Sequence, residues 1–298
     1  FSSRRRHTRY GTVTGVQTCA LPISSIYDVG TTDRLEERAS GVGELGSWPE
    51  FTGQIQSQDV TEGYNTISRP REYATMTIVT RRLIHDDFSA VFNDGMRFRP
   101  MVRAGIVTRQ EHATRMFEMI NVVDTHFYVR SDGIPIASAS HTYRTAGAPT
   151  WSNTTTAPLT PVSLRAALIA GRKIPSDQNK RSGITYNEIF LCVDVVPVYN
   201  EIANTPRGYD IPGMNENQEA RGRTGITSVV ALPYWTSTTG WVLSNSRLRR
   251  ENVKWIDSEE PDYGRITEFD TLQVKSRGYM RYGTHVRAPH WAYVGGVG

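Results

Sequence analysis

The sequence is poor in cysteine and in long apolar runs. Only Cys19 and Cys192 occur in 298 residues, which leaves no disulfide framework and no cysteine-based zinc motif and is typical of a reducing compartment. Cys192 lies in the apolar run 189–193, where we expect a buried, inert thiol. No stretch approaches the roughly 18 apolar residues of a membrane span, and we therefore predict no membrane partner.

Motifs that carry chemistry are lacking as well. The sequence contains no H-E-x-x-H, no G-x-S-x-G, no P-loop and no C-x-x-C. Residues 41–46 match G-x-G-x-x-G, but Ser47, Trp48 and Pro49 follow where a dinucleotide site needs a helix. We interpret this run as a flexible connector. We predict no catalytic, cofactor-binding or metal-binding residue and no enzymatic activity.

The histidines and carboxylates leave one enzymatic alternative open. A hydrolase-type α+β enzyme would build its site from His112, His126 and Asp124. The adjacent residues 85–87 are more typical of a helix N-terminus than of a metal site. The acidic cluster within 259–262 predicts a solvated turn.

Positive charge is concentrated at the start of the chain. The net charge is +4, and residues 1–23 contain four arginines but no Asp, Glu or Lys, so the remaining chain has 30 basic (34 minus 4) and 30 acidic residues. A basic arm that binds nucleic acid is one interpretation. Residues 1–23 also resemble a translated sequencing adapter, and we interpret them as a non-native artefact that has replaced the true N-terminus.

The first half of the remaining chain predicts a ribbon followed by a long helix. We predict a short polar helix at 32–40 and two strands at 51–57 and 73–80, which form a two-stranded ribbon without a third strand. Such a ribbon is marginal by itself, so we expect it to pack against another subunit. Apolar spacing near 3.6 predicts helix over 84–122, with Pro100 causing a kink or a restart.

The second half predicts a capped helix, a long loop and many strands. Thr160 and Pro161 are typical of a helix start, and the helix should run to about Lys173. A buried strand should follow at 188–196 and a long polar loop at 203–227. Further strands are predicted at 228–232, 240–244, 252–257, 267–282 and 290–294.

Several stretches together resemble the Mu-type branch of tailed-phage major capsid proteins, which share the Hong Kong 97-like fold. The resemblance covers nearly all of residues 45–298, in the order that the family shows. Its strongest parts are 50–53, 62–64, 72–74, 84–88, 109–113, 132–135, 141–143, 159–164, 189–193, Pro197, 269–271, 277–283 and 291–293.

The resemblance implies an α+β fold with an extended β-hairpin loop, a long spine helix, and peripheral and axial domains. By this resemblance, 24–50 is a remnant N-terminal arm or connector and 51–82 is the extended loop. Segments 83–158 and 250–298 form the peripheral domain with the spine helix, and 159–249 forms the axial domain.

The same resemblance implies a major capsid protein that assembles into the icosahedral shell around phage DNA. Its partner would be itself, in pentamers and hexamers, with scaffold, portal and decoration proteins as further partners. DNA would be near it only by non-specific proximity. The protein would belong to the virion capsid and be assembled in the bacterial cytoplasm. A nanocompartment shell protein of the same fold is the related alternative.

Overall fold

A computed structural model describes residues 23–55, 57–86, 94–204 and 224–297. Within these residues the chain forms twelve strands and five α-helices. The strands are β1 (Asp28–Thr31), β2 (Glu37–Val42), β3 (Glu62–Ser68), β4 (Arg71–Thr80), β5 (Tyr128–Arg130), β6 (Thr154–Thr155), β7 (Glu188–Cys192), β8 (Ser228–Leu232), β9 (Trp241–Ser244), β10 (Val253–Thr267), β11 (Gln273–Val286) and β12 (Ala292–Gly295). The helices are α1 (Arg81–His85), α2 (Asp94–Glu118), α3 (Pro161–Lys173), α4 (Val196–Asn204) and α5 (Ser246–Asn252).

The longest elements build a four-stranded sheet in the order β1-β10-β11-β4. Strands β10 and β11 form an antiparallel hairpin, and β4 pairs with β11 from Arg71 to Thr80. In the outer half of β11 buried residues alternate with half-buried ones and one exposed residue, whereas its last residues are all buried. One face of the hairpin is therefore covered along the outer half, and both faces are covered near the body.

The long helix α2 covers that sheet and continues into the core. Its Arg109 guanidinium lies 3.0 Å from the Asp257 carboxylate on β10, and 5.3 Å from the ring centroids of both Trp255 and Tyr282. At its C-terminal end Phe117 is fully buried. The helix therefore links the long hairpin to the rest of the molecule.

The five-stranded sheet has the order β6-β12-β9-β7-β8. All residues of β7, β9 and β12 are buried. The Phe117 ring on α2 lies 5.1 Å from Phe190 on β7 and 5.8 Å from Trp235, so one apolar core joins helix and sheet. The last strand of the described chain, β12, thus lies inside a sheet whose other strands come from much earlier segments.

Helix α3 begins as the sequence predicts. The Thr160 side chain accepts a hydrogen bond from the Ser163 backbone N–H, and the Ser163 side chain accepts one from the Thr160 backbone N–H. This reciprocal capping box satisfies backbone donors that have no partner within the helix. The helix ends at Lys173, which confirms the predicted bounds.

The predicted helix at 32–40 is wrong. Residues 37–42 form β2, which pairs antiparallel with β3, and β3 pairs with β5 to complete a three-stranded sheet. Within 24–50, which the resemblance makes a remnant N-terminal arm or connector, Ile26 and Tyr27 are buried and β1 pairs with β10; the assignment of the whole segment stays a prediction. Local helix propensity is outweighed here by pairing with distant segments.

The predicted two-stranded ribbon is also wrong. Residues 51–55 form no strand, and β3 occupies the stretch that we interpreted as the linking loop. β3 and β4 are neighbours in sequence but belong to different sheets, and β4 has the partner strand that the sequence did not reveal. Segment 51–82 is therefore not a single ribbon, and the described residues of the loop 43–61 between β2 and β3 form no strand.

The remaining expectations have mixed outcomes. α2 continues through Pro100, so the predicted restart of the helix is wrong. The acidic residues within 259–262 lie in strand β10, not in a turn. Residues 87–93 of the predicted long helix and residues 205–223 of the predicted loop lie outside the described residues. The predicted strand at 228–232 is confirmed as β8.

The division into peripheral and axial domains stays a prediction, with one point against its bounds. Segment 250–298 does not form one unit, since β10 and β11 lie in the four-stranded sheet whereas β12 pairs with β9 in the five-stranded sheet.

Candidate assembly surfaces and the histidine cluster

The structure brings the three residues of the enzymatic alternative into one neighbourhood. The ring centroids of His112 and His126 are 5.7 Å apart. The Asp124 carboxylate, however, accepts two hydrogen bonds from the Arg115 guanidinium at 2.8 and 2.9 Å, and one from the His126 backbone N–H at 3.0 Å. Its bonds therefore go to a guanidinium and to the backbone rather than to an imidazole nitrogen.

Tyrosine hydroxyls, not carboxylates, are the partners of the two rings. His112 Nδ1 lies 2.7 Å from the Tyr282 hydroxyl, and His126 Nε2 lies 2.9 Å from the Tyr73 hydroxyl. The two tyrosine rings stack with their centroids 4.9 Å apart. The cluster thus joins α2, β4, β11 and the segment before β5 through stacked rings and hydrogen bonds.

The electrostatics of this cluster favour neutral imidazoles. Burial lowers the pKa of His112 to about 4, and the neighbouring His126 and Arg115 act in the same direction. Burial also lowers the pKa of His126, together with Arg71 and Arg115. A general base needs a pKa near the working pH and a partner that orients it, and neither ring has both. Asp124 therefore does not orient either imidazole as the hydrolase-type alternative requires. The stacked and hydrogen-bonded rings instead pack the surrounding elements together.

The other candidate ligands do not converge. His85 Nδ1 lies 3.3 Å from Asp86 on an exposed helix end, and Asp87 lies outside the described residues. Across the part of the chain that the structure describes, no three His, Cys, Asp or Glu side chains come together as a metal site requires. Cys192 is buried, as predicted, and burial raises its thiol pKa. No helix of the described chain is both long and apolar enough to cross a membrane.

One apolar surface lies on the described residues of the loop 43–61, which are 43–55 and 57–61 and are called the outstretched loop below. Its apolar side chains are open to solvent: Trp48 is 89% exposed, Phe51 71% and Ile55 86%. Burying side chains of this size is worth about 1.5–3 kcal/mol each, so a surface that leaves three of them exposed favours contact with a partner.

The base of the outstretched loop is held firmly although its tip is open. The Gly43 backbone N–H donates to the Thr61 carbonyl at 2.8 Å, which closes the loop. The Glu44 backbone nitrogen lies 3.2 Å from each carboxylate oxygen of Asp177, a residue in a turn far away in the sequence. Nothing in the local sequence marks Asp177 for this task, and we did not predict it.

Beside this base a cleft of about 590 Å³ opens between the loop and the body. Its wall is a stack of rings: Trp151 lies 4.4 Å from His141 and 4.4 Å from His290, centroid to centroid. Burial lowers the pKa of His141 to about 4 and that of His290 to about 3, so the stack is neutral. The His290 Nε2 atom lies 3.0 Å from the Tyr143 hydroxyl. The rings of the cleft wall therefore contact each other, as packed side chains do.

A second apolar projection lies at the far end of the β10–β11 hairpin. Phe269 is 92% exposed, Ile266 66% and Leu272 47%, and Leu272 takes a positive φ of 53° in the turn. Apolar side chains are thus presented at two separate projections. A molecule that contacts copies of itself in more than one direction needs surfaces of this kind.

Comparisons with known proteins place the fold. No family model matches the chain, and no curated protein matches it. Solved structures do match over nearly the whole chain: the capsid of a native GTA particle, computed with C5 symmetry, is 12% identical, with 98% of this chain and 94% of that chain covered and a TM-score of 0.58. The capsid structure of the cyanophage P-SCSP1u is 13% identical, covers 97% and 92% respectively, and has a TM-score of 0.56.

A further match is the capsid of bacteriophage JBD30, which is 9% identical, with 95% of this chain and 67% of that chain covered and a TM-score of 0.54. The chain therefore has the α+β, Hong Kong 97-like fold of phage capsid proteins, as predicted from the sequence.

Proposed function

We propose that this chain is the major capsid protein of a tailed bacteriophage, a structural subunit that assembles into the icosahedral shell around the phage DNA. One observation carries the proposal. The fold matches phage and GTA capsid chains over more than nine-tenths of this chain. The open apolar surfaces support it, because a subunit with this much exposed apolar area at two projections gains stability by association.

The proposed partner is the chain itself, in rings of five and six that close into a shell. Heterologous contacts close into a ring when the rotation between neighbouring subunits is a whole fraction of a full turn. Once subunits are joined in a ring, each further contact forms within one assembly and is effectively intramolecular. Weak contacts at the outstretched loop and at the hairpin end therefore suffice for a stable shell. The proposed place of the protein is the virion capsid, with assembly in the host cytoplasm. The proposal includes no enzymatic role, in line with the bonded Asp124 and the neutral histidines.

The test is electron microscopy of the purified full chain at increasing concentration. We expect closed particles or five- and six-membered rings. A chain that stays monomeric at every concentration contradicts the proposal, and particles that hold protein cargo without DNA would favour the nanocompartment alternative.

A loop deletion sharpens this test. Removing 51–80 is a poor choice, because it would take out β3 and β4, strands of two different sheets. Replacing 44–60 by Asn-Gly is better, since Gly43 and Thr61 are already hydrogen-bonded and a two-residue turn can join them. We expect the free energy of unfolding of the shortened chain to stay within about 1 kcal/mol of that of the full chain. We expect the shortened chain to form no shells. Normal shells from the shortened chain would refute a role of the loop in assembly.

A further inference from the structure

A shallow depression of about 520 Å³ lies where the end of α5, the start of β10 and the end of β11 meet. Its lining side chains are Asp28, Arg250, Glu251, Lys254 and Arg287, of which three are cations. Residues 24–298 carry 30 basic (34 minus 4) and 30 acidic side chains, so a surplus of positive charge at one place is a local feature of the surface. We call this surface the basic depression.

The two carboxylates of the basic depression do not neutralise its cations. Glu251 pairs with Arg247 on the exposed face of α5, at 3.2 Å. Asp28 lies opposite Lys254 in the register of β1 and β10. Within the described residues, however, neither Lys254 nor Arg250 forms an ion pair, and both are exposed. Their charges are therefore available to a ligand.

The third cation, Arg287, is held in place by a neutral partner. Its Nε–H group donates to the Asn252 side-chain oxygen at 3.1 Å, and its backbone N–H donates to the Asn252 carbonyl at 2.8 Å. Asn252 is buried, and its side-chain amide donates to the Leu248 carbonyl at 2.7 Å. A guanidinium has several further N–H donors, and the described residues offer those of Arg287 no partner. Arg287 is thus oriented in advance for an acceptor.

The buried neighbour of Lys254 leaves this positive charge uncompensated. His285 lies opposite Lys254 in the register of β10 and β11, and such opposed residues place their side chains on one face of the sheet. Burial lowers the pKa of His285 to about 4, the charges of Lys254 and Arg287 act in the same direction, and Glu37 acts against them. Lys254 and Arg287 therefore both lie close to one neutral ring.

We propose that the basic depression binds phosphate groups in the backbone of the packaged DNA. Cations gathered at one place repel each other, and an anion between them removes this repulsion. A phosphate group supplies the negative charge together with acceptor oxygens that match the fork of the Arg287 guanidinium. Lys254 acts on the same group as a point charge, and Arg250 adds a second guanidinium at the rim.

Duplex DNA is the phosphate source that this surface fits. The basic depression is shallow and most of its side chains are exposed, so a polymer backbone can lie across it. Contacts to the backbone carry no sequence information, as a shell that encloses any packaged sequence requires. This inference rests on the proposed function and goes beyond the expectation that DNA is only near the shell. It requires the basic depression to face the inside of the shell.

The first experiment measures the binding of a short fluorescent duplex to the full-length subunit by anisotropy. Every arginine of 1–23 is replaced by glutamine in all chains, so that this segment does not dominate the signal. Arg250→Gln with Lys254→Gln should weaken binding about tenfold and reduce the slope of log affinity against log salt by about 2. The matched control is Arg172→Gln with Lys173→Gln at the exposed end of α3, which removes the same charge.

The control variant should weaken binding by less than about twofold. Both double variants should unfold like the unchanged chain, because neither removes an ion pair of the described residues. Equal losses of affinity in the two double variants overturn the site. Titration calorimetry with inorganic phosphate is the second arm. If inorganic phosphate binds the subunit and the duplex does not, free phosphate is the ligand and the assignment to DNA is overturned.

A gain of affinity gives an independent test. Asp28→Asn removes a negative charge from the lining of the basic depression and should strengthen duplex binding about threefold. The matched control, Asp270→Asn at the exposed end of the β10–β11 hairpin, should give no gain. An Asp28→Asn chain that binds the duplex no better than the unchanged chain contradicts the proposal.

The last experiment asks on which side of the shell the basic depression lies. Lys254→Cys, in a Cys19→Ser background, is treated with a maleimide on a polymer too large to enter a closed particle. We expect free subunits to react and intact particles to stay unlabelled until they are opened with denaturant. Labelling of intact particles places the basic depression outside and overturns the inference.

These outcomes separate the inference from the proposed function. Particles that form although the two double variants bind DNA equally overturn the phosphate site and leave the shell subunit in place. Duplex binding that depends on Arg250 and Lys254, without particles at any concentration, supports the phosphate site and contradicts the shell function.

Discussion

A buried charged residue stabilises the interior mainly by neutralising a buried partner of opposite charge. The Arg249 guanidinium is buried and makes two hydrogen bonds to the Glu188 carboxylate, at 2.8 and 3.1 Å. It also donates to the Ile26 carbonyl and lies 5.5 Å from the Phe190 ring centroid. One arginine thus ties α5, β7 and the start of the described chain to each other. Its removal would leave a buried carboxylate without a counter-charge.

Arg249→Ala should therefore be severely destabilising. We expect a loss of about 3–5 kcal/mol in the free energy of unfolding, because Glu188 would stay buried and unpaired. Arg249→Lys should restore little, since an ammonium cannot make the paired hydrogen bonds of a guanidinium. Chemical denaturation of the subunit measures both. Arg247→Ala is the matched control, because Arg247 pairs with Glu251 at the surface and should matter by less than about 0.5 kcal/mol. Equal losses from the two alanine variants would contradict this argument.

At the scale of elements, local signals set the ends of some helices and strands. Thr160→Ala removes the acceptor of the α3 capping box, and we expect a loss of about 0.5–2 kcal/mol in the free energy of unfolding. Thr160→Ser keeps the hydroxyl and should stay within about 0.5 kcal/mol of the unchanged chain. Denaturation curves of both variants test this, and a Thr160→Ser loss as large as that of Thr160→Ala would show that the hydroxyl is not what matters.

The same scale shows where sequence reasoning succeeds and where it fails. The bounds of α3 follow from the adjacent Thr160 and Pro161 and from the apolar face of the same helix, all of which are local in sequence, and they could be predicted. β2 could not, because residues 37–42 become a strand only through β3. The acidic residues within 259–262 look like a turn, yet Glu259 and Asp262 pair with β11 and hold that stretch in a long hairpin.

The candidate surfaces follow the same rule. The exposed tip with Phe51 and Ile55 could be anticipated from a strand pattern that is isolated in the sequence. The anchor at Asp177 could not, because it joins residues that are more than a hundred positions apart and has no motif. For the enzymatic alternative, the sequence correctly suggested that His112 and His126 come close. Only the structure reveals that the Asp124 carboxylate accepts its hydrogen bonds from the Arg115 guanidinium and from the His126 backbone N–H.

At the scale of the whole molecule, several neutral histidines make the fold sensitive to acid. Burial lowers the pKa of His141 and of His285 to about 4 and that of His290 to about 3. In the unfolded chain the same groups titrate near 6.5. Between those values the unfolded chain binds protons that the folded chain does not, so acid favours unfolding.

The free energy of unfolding should therefore fall as the pH decreases from about 6.5 to about 4. Each fully buried histidine contributes up to about 1.4 kcal/mol per pH unit in that window. His285→Leu should flatten the slope by up to this amount, because neither ring nitrogen of His285 has a hydrogen-bond partner to lose. Denaturation at pH 7, 6 and 5 measures the slope. His85→Leu, at an exposed position, is the matched control, and an identical slope in His285→Leu and the unchanged chain would refute the assignment.

The place of β12 inside the five-stranded sheet has a consequence for biosynthesis. A ribosome delivers the outstretched loop and the long hairpin before residues 292–295, which sit between β6 and β9. Until those residues emerge, Trp241 and Val242 on β9 lack one neighbouring strand. A nascent chain therefore cannot complete this sheet before residues 292–295 have left the ribosome, which delays the mature subunit until synthesis has passed that point.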